Sequence, residues 1–266
     1  MCTAIHTTVR NVSPIIADVA IGKVGMASEA YLVGFNVWLY DNPSVVASEK
    51  RAERLRQLIS SASGFLPGTA STQPSLYDAI GYVIPATRGS YYDAERLASD
   101  RLKLRALSDF VRSGSALVLL DGFKSDAATN TFLPLLSALL GRDPRCMATS
   151  VGKSMHLRKR TAAQAFANLS DTAEPMWHIY PKPNVPNTLA LLNQVKPMQG
   201  FSFLSCQTGQ AIYSTYVNQE EFAASMMWKL GSGVIYWIGS SFFRPFTPGV
   251  NSVACVVWSG WESWLP

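Results

Sequence analysis

Apolar residues in this chain recur with two periods, and the switch between them marks out its elements. Residues 30–40 (AYLVGFNVWLY) are rich in aromatic and β-branched side chains and stop at Asp41-Asn42-Pro43, which reads as a strand running into a turn. Ser44 is placed to cap a following helix, with Val45, Ala52, Leu55, Leu58, Ile59 and Ala62 on one face and Lys50, Arg51 and Arg54 outward. A Gly/Pro/Ser-rich loop is expected over 64–75, then a short strand over Ala79–Ile84 stopped by Pro85. Ser90 and Asp93 form a capping pair for a helix carrying Leu97, Leu104, Leu107 and Val111 in one stripe, ended by Gly114. The unbroken apolar run Ala116–Leu120 is a strand covered on both faces, and Thr129–Leu140 is a further helix with Pro134 near its first turn.

Strand and helix alternate in this stretch, which favours a parallel sheet with right-handed crossovers. Residues 142–208 break the rhythm, because six prolines (144, 175, 181, 183, 186 and 197) preclude long regular elements. They read as an insertion of loops and short strands. Order returns with a strand over Ala211–Tyr216 and a helix capped by Asn218, with Glu221 three residues on and Phe222, Met226, Met227 and Leu230 as its buried stripe. Gly231 closes that helix, Val234–Ile238 is a last strong strand, and Val250–Trp261 is a candidate terminal helix. Residues 1–29 stand as an extension or the trailing strand of a preceding domain, 30–245 as the α/β domain, and 246–266 as a tail. Gly22–Ser28 faintly echoes the Gly-Val…Gly-Ser-Ser pattern of 231–241, as an internal duplication would.

Two stretches carry a family resemblance. LRALSDFVRSGSALVLLDG, with Phe110-Val111-Arg112-Ser113-Gly114 feeding a buried strand, pairs with a later QAIYSTYVNQEEFAASMMWKLGSGVIYWIGSSFF, where Gly231-Ser232-Gly233 leads to Gly239. Together they resemble the class I glutamine amidotransferase-like fold, nearest its non-amidotransferase, trehalose-utilisation-type branches, over Tyr31–Leu140 and Gln210–Phe243. The resemblance implies a three-layer α/β/α fold with a mostly parallel, flavodoxin-like sheet, interrupted here by the Pro-rich insertion. It also implies a Cys nucleophile on a G-x-C-x-G elbow with a downstream His-x-Glu pair. This chain departs from that pattern: the central strand ends in Asp121-Gly122-Phe123-Lys124, and no His-x-Glu occurs. The amidotransferase mechanism does not carry over.

Composition narrows the functional classes. With 48% hydrophobic and 15% charged residues, the 266-residue chain has ample material for a deep core. Its net charge of +5 is scattered, the densest cluster being Arg158-Lys159-Arg160, so a nucleic-acid partner, which needs a concentrated basic stripe, is not expected. No apolar run is long enough for a membrane span, and no signal-peptide pattern opens the sequence. A cytoplasmic protein is the expectation. The sequons at Asn11 and Asn168 would matter only for a secreted protein whose true N-terminus lies upstream. Cys2, Cys146, Cys206 and Cys255 lie far apart without metal-ligand spacing and read as buried free thiols.

Candidate chemistry is positional. A Cys206–His178 pair lacks an elbow, and Gly239-Ser240-Ser241 is not a G-x-S-x-G turn. His6, His156 and His178 are isolated, so neither a metal nor a cofactor is expected. Ligands of open parallel sheets bind outside the carboxyl ends of the strands, where this chain supplies Asp41, Asn42, Thr87, Arg88, Asp121, Lys124, Ser240 and Ser241. Such side chains suit a sugar or a small anion, through charge-assisted hydrogen bonds. Each also has a plainer role as a turn cap or solvated side chain. Trp258, Trp261 and Trp264 suit either an anchor for a terminal helix or a stacking platform. Three functions remain open: a non-catalytic domain binding a small ligand, carbohydrate among them, or a protein partner; a carboxylate-dependent hydrolase or transferase acting on a glycan; and a scaffold.

Overall fold

In a computed structural model of the chain, the structure describes residues 35–46, 53, 55–56, 65–124, 126–150, 157–160, 172–173, 202–217 and 219–239. The protein is α/β, built on an eleven-stranded mixed sheet. Its parallel half has the order β2 (Phe65–Ala70), β1 (Phe35–Tyr40), β3 (Ala79–Ala86), β4 (Ala116–Asp121), β13 (Gly233–Ile238). That is the flavodoxin-like sequence of strands, with the chain turning in opposite directions on either side of β1. Beyond β13 the sheet turns antiparallel through β12 (Glu220–Leu230), β11 (Gln210–Val217), β8 (Leu157–Lys159) and β9 (Thr172–Ala173). β10 (Ser202–Cys206) pairs with both β12 and β7 (Cys146–Ser150). A separate two-stranded ribbon joins β5 (Phe123–Lys124) to β6 (Thr129–Asn130).

Both faces of the central strands are buried, which is why they read as continuous apolar runs. On one face Tyr82, Ile84, Leu117, Leu119, Ile235 and Trp237 meet Leu107, Phe110 and Val111 of α2 (Arg101–Arg112) and Leu135, Leu136 and Leu139 of α3 (Leu133–Leu140). On the other, Val37, Leu39, Val83, Val118, Leu120, Tyr236 and Ile238 are equally enclosed, and Leu55, which is helical, is buried as well. Layers on both faces fit the three-layer plan.

The unit of helix, glycine and strand forms as its sequence predicts. Asp100 caps α2 by accepting from Lys103 N–H (3.0 Å), and the helix ends at Ser113 with Gly114 at φ +120°. The carbonyl of Arg112, left without a partner in its own helix, accepts from Ser232 N–H (3.0 Å) in the β12–β13 turn. A Cβ on Gly233 would lie 2.0 Å from the Val111 carbonyl, so the hairpin can sit against the helix end only through glycine.

Several expectations are corrected. The region after Asn218 is not a helix; residues 220–230 form β12, hydrogen-bonded on both sides by β11 and β13. Its run Ala223–Trp228 is buried throughout, so the helical stripe is in fact a strand covered on both faces, and tertiary pairing overrides the helix propensity of Glu, Ala and Met. Val217 pairs with Glu220 and Gln219 has φ +69°, so β11 returns into β12 through a tight hairpin, and no helix starts there. Gly231 (φ +64°) turns the next hairpin instead of ending a helix. The expected 64–75 loop contains β2, an edge strand in which Gly68 leaves room for the Trp38 ring, 2.7 Å from where its Cβ would be. β3 runs through Pro85, because its ladder with β1 has already ended at Leu39↔Val83. The single helix expected after Ser90 is two, α1 (Tyr91–Ala94) and α2, separated where Arg96 takes φ +54°. Its Ser90 cap is present, accepting from Asp93 N–H (3.3 Å). α3 begins only at Leu133, after β6, with Pro134 in its first turn. The local cap after β1 is Asn42, whose Oδ1 accepts from Ser44 N–H (2.9 Å) and Oγ–H (2.7 Å). Cys146 and Cys206 are not free thiols but a disulfide. The N-terminal echo, the tail helix and its tryptophans fall outside the described residues.

Gly239 offers a direct check on this packing, since a Cβ there would lie 1.7 Å from the Ser202 carbonyl. Gly239→Ala should cost about 1–3 kcal/mol through forced displacement of β10, read as a lowered midpoint in urea unfolding.

Candidate functional site

The carboxyl ends of β1, β3 and β4 lie along one edge of the parallel sheet and bring Asp41-Asn42, Thr87-Arg88 and Asp121 together. β3 separates β1 from β4, so the Asp41 and Asp121 ends stand about 10 Å apart, two strand spacings. Lys124 is exposed on the β5–β6 ribbon, paired across to Thr129. Ser240 and Ser241 lie outside the described residues; the strand before them pairs Ile238 with Leu120, which carries Gly239 alongside Asp121.

Asp121 is the most constrained of the set. It holds φ +66°, a conformation that L-residues avoid, and is 8% exposed. Its carbonyl accepts from Trp237 Nε1 (2.9 Å) and Asn130 Nδ2 (2.8 Å). Its Oδ1 accepts from Phe123 N–H (3.2 Å) and Ser202 Oγ–H (3.3 Å). Gly122 N–H donates to the Ala86 carbonyl (2.9 Å), and Thr131 N–H to the Gly122 carbonyl (2.7 Å). Four strands thereby hold one strained turn. Beside it, the buried Thr131 Oγ1 has no hydrogen-bond partner and lies 2.9 Å from where a Gly122 Cβ would be. A buried hydroxyl without a partner is costly, so a water or ligand group in this corner would be stabilised.

At the switch point between β1 and β3 the arrangement differs. Successive N–H groups of Thr87, Arg88 and Gly89 converge on the Val45 carbonyl (3.1, 2.9 and 3.3 Å). Such a nest of amides suits an anion, but here the chain's own carbonyl fills it. Asn42 ties the same loop down, donating through Nδ2 to the Ser71 carbonyl (2.8 Å), while Asp41 N–H donates to the Ala70 carbonyl (2.9 Å). The thiol candidate fails outright, because Cys206 is oxidised to Cys146; His178, its supposed base, is outside the described residues. Among the described residues no group of three or more His, Cys, Asp or Glu could hold a metal ion. No helix among them is long and apolar enough to cross a membrane.

Sequence reasoning missed a polar cluster beneath this edge. Glu95 is buried (3% exposed) and accepts from Tyr40 Oη–H (2.8 Å) and Lys103 Nζ–H (2.7 Å). Tyr91 Oη–H donates to Gln73 Oε1 (2.9 Å), and Gln73 Nε2–H to the Lys103 carbonyl (3.0 Å). The Tyr40 and Tyr91 rings meet edge to face at 4.7 Å. Burial pushes the Tyr40 hydroxyl well above its usual titration range, and the bond to Glu95 adds to this. Burial is also the chief cause that raises Tyr82 and Tyr91, and the charge of Glu95 adds to both. The sequence gives no cue: Glu95 is one acid in the polar run of residues 90–101, with nothing to mark it as buried.

No family model and no curated protein matches the sequence. Among solved structures the chain is similar to an mmIFT52 N-terminal domain, with a TM-score of 0.52 and 12% identity over 86% of this chain and 96% of that one. It is similar to a cytoplasmic protein from Salmonella typhimurium LT2 (TM-score 0.48, 11% identity, 86% and 96% covered). A beta-galactosidase from Rahnella sp. R3 gives a TM-score of 0.47 and 12% identity over 88% of this chain. The chain spans about a third of that enzyme's length (32%). At these identities the likeness to the mmIFT52 domain is one of α/β fold alone.

The tyrosine cluster fixes an alkaline limit. Tyr40, Tyr82 and Tyr91 all have folded-state titrations above the ordinary 10.0, so their contribution is constant below about pH 10 and lost above it. Thermal unfolding should be flat from about pH 8 to 10 and then fall by up to roughly 1.4 kcal/mol per pH unit per tyrosine. Tyr40→Phe should lower stability at neutral pH and flatten the alkaline fall, as followed by Tm and tyrosinate absorbance.

Proposed function

We propose that this chain is a non-catalytic domain of the class I glutamine amidotransferase-like type that binds a small polar ligand at the carboxyl ends of β1, β3 and β4. The observation that carries the reading is Asp121. A buried acid is held at positive φ by hydrogen bonds to its carbonyl from Trp237 of β13 and Asn130 of β6, at the end of the central strand, with the unpartnered Thr131 hydroxyl beside it. Strain over-determined in this way clusters at ligand clamps and active sites. A carboxylate and a hydroxyl suit a ligand that donates hydrogen bonds, such as a polyol or carbohydrate. The flavodoxin-like strand order and the stretch from α2 to β4 support the family resemblance.

A scaffold role is the second reading, and the Val45 carbonyl seated in the Thr87–Gly89 amides favours it, since part of the ligand edge is closed by the chain itself. The carboxylate-dependent hydrolase alternative requires Asp121 to exchange its bonds to Phe123 and Ser202 for a substrate. The sequence favours a cytoplasmic location, and the disulfide supports a secreted one instead.

The two main readings separate in a thermal-shift screen of sugars, phosphates and nucleotides against wild type, Asp121→Asn and Thr131→Val. Asparagine tolerates positive φ, so Asp121→Asn should fold with a Tm within a few degrees of wild type. A hydroxyl-rich compound is expected to raise the wild-type Tm by several degrees, which requires a concentration near 100 times its Kd, and to lose the effect in both variants. A compound that stabilises all three equally, or the absence of any stabilising compound, would overturn ligand binding at Asp121 in favour of the scaffold.

A further inference from the structure

The disulfide has no part in the ligand edge, yet it occupies a defined place in the fold. Cys146 opens β7 and Cys206 ends β10, and the two are a register pair of that antiparallel ladder, with Cα atoms 4.0 Å apart. The ladder runs on past them: Gln207 N–H donates to the Arg145 carbonyl (3.3 Å) and Arg145 Nη1–H to Gln207 Oε1 (3.3 Å). Sixty residues separate the cysteines along the chain, and these include β8 and β9. The Pro-rich stretch thus leaves β7 and returns through β10 at a bridged pair, while within it β8 pairs separately with β11.

Two further facts give this point consequence. At the other end of β10, Ser202 N–H donates to the Gly239 carbonyl (2.7 Å) and its hydroxyl to Asp121. β10 meets β12 at a single pair, Leu204↔Ala223, so most of its ladder is with β7. The described part of the insertion is fastened to the core by short pairings, the Leu204↔Ala223 pair and two register pairs of β8 with β11, so a covalent link between its two ends adds to a limited set of contacts. A link closing a long loop stabilises chiefly by restricting the unfolded chain.

We propose that the Cys146–Cys206 bridge is a staple joining the two ends of the insertion, and that the chain matures in an oxidising compartment. Thiols of a reducing cytosol would stay as a facing pair, whereas secreted proteins retain such bridges. The step needs an oxidant of the dithiol–disulfide exchange class. One cysteine thiolate attacks the donor's disulfide to give a mixed disulfide, and the second displaces the donor's sulfur. Two protons and two electrons leave the chain, and the donor becomes a dithiol. The sequon Asn168-Leu169-Ser170, between the two cysteines, is a sequence such a compartment modifies.

The test uses the full chain made in a secretory host and in a reducing cytosol. Each preparation is purified without reductant, alkylated and digested. Mass spectrometry of the secreted protein should find one cross-linked peptide pair containing Cys146 and Cys206, which disappears on reduction. Alkylation of both cysteines in the secreted protein, or a link from either to Cys2 or Cys255, would overturn the proposal. Reductant should lower the Tm of the secreted wild type by on the order of 10 °C and leave a Cys146→Ser/Cys206→Ser double variant unmoved. Cytosolic protein with both thiols reduced and the same Tm as the secreted form would equally refute the staple. These readouts need no ligand, so they stand or fall apart from binding at Asp121.

Discussion

The turn at Asp121-Gly122 is the constraint on which the rest of the architecture rests. Left to itself, an aspartate at φ +66° followed by a glycine at φ +81° would relax. It does not, because bonds from four directions converge on it: Ala86 from β3, Asn130 and Thr131 at β6, Trp237 from β13 and Ser202 from β10. Trp237 and Asn130 are almost wholly buried, so withdrawing either bond would strand a polar group without water. The strain is therefore held by the cost of the alternatives. The same bonds set where the ribbon β5–β6 leaves the sheet and where β10 docks.

β13 explains how a parallel and an antiparallel half can share one sheet. Its parallel side pairs with β4 and its antiparallel side with β12. Both faces of the strand are buried, and its indole reaches across to the end of β4. α2 closes the other end of this seam, with the Arg112 carbonyl bonded to Ser232 in the β12–β13 turn. One strand thus fixes the register of the parallel half and offers an edge to the antiparallel half, so the position of the second follows from the first.

How much of this was legible in the sequence divides along that seam. In the parallel half the α2 stripe, the stop near Gly114 and the apolar run of β4 each have a local cause, and each appears where its pattern places it. In the antiparallel half the cause is remote. Residues 220–230 carry helix formers and an apolar stripe that suits either period, and only two flanking strands decide the matter. Asn218-Gln219 could have been read as a hairpin turn, but the same residues also resemble a cap. Of the edge residues, position alone could nominate Asp121, Asp41 and Thr87. Neither the partners that strain Asp121 nor the carbonyl that fills the Thr87–Gly89 amides leaves a local trace, because both depend on segments distant in sequence.

The self-filled nest and the strained aspartate have opposite chemical meanings, although they follow adjacent strands, β3 and β4, on one edge. Where amides converge on Val45, the donors are satisfied and the backbone is closed against an anion. At Asp121 and Thr131 the groups presented are a carboxylate and an unpartnered hydroxyl, so the polarity of the edge shifts from donor to acceptor between β1 and β4. A phosphate would meet filled amides at one end and a negative charge at the other. A ligand rich in hydroxyl groups meets neither obstacle, since one hydroxyl can bond Thr131 Oγ1 and another can exchange with the Ser202 donor at the Asp121 carboxylate. What the edge's own backbone has already consumed thus supports the proposed neutral, hydrogen-bond-donating ligand over an anion.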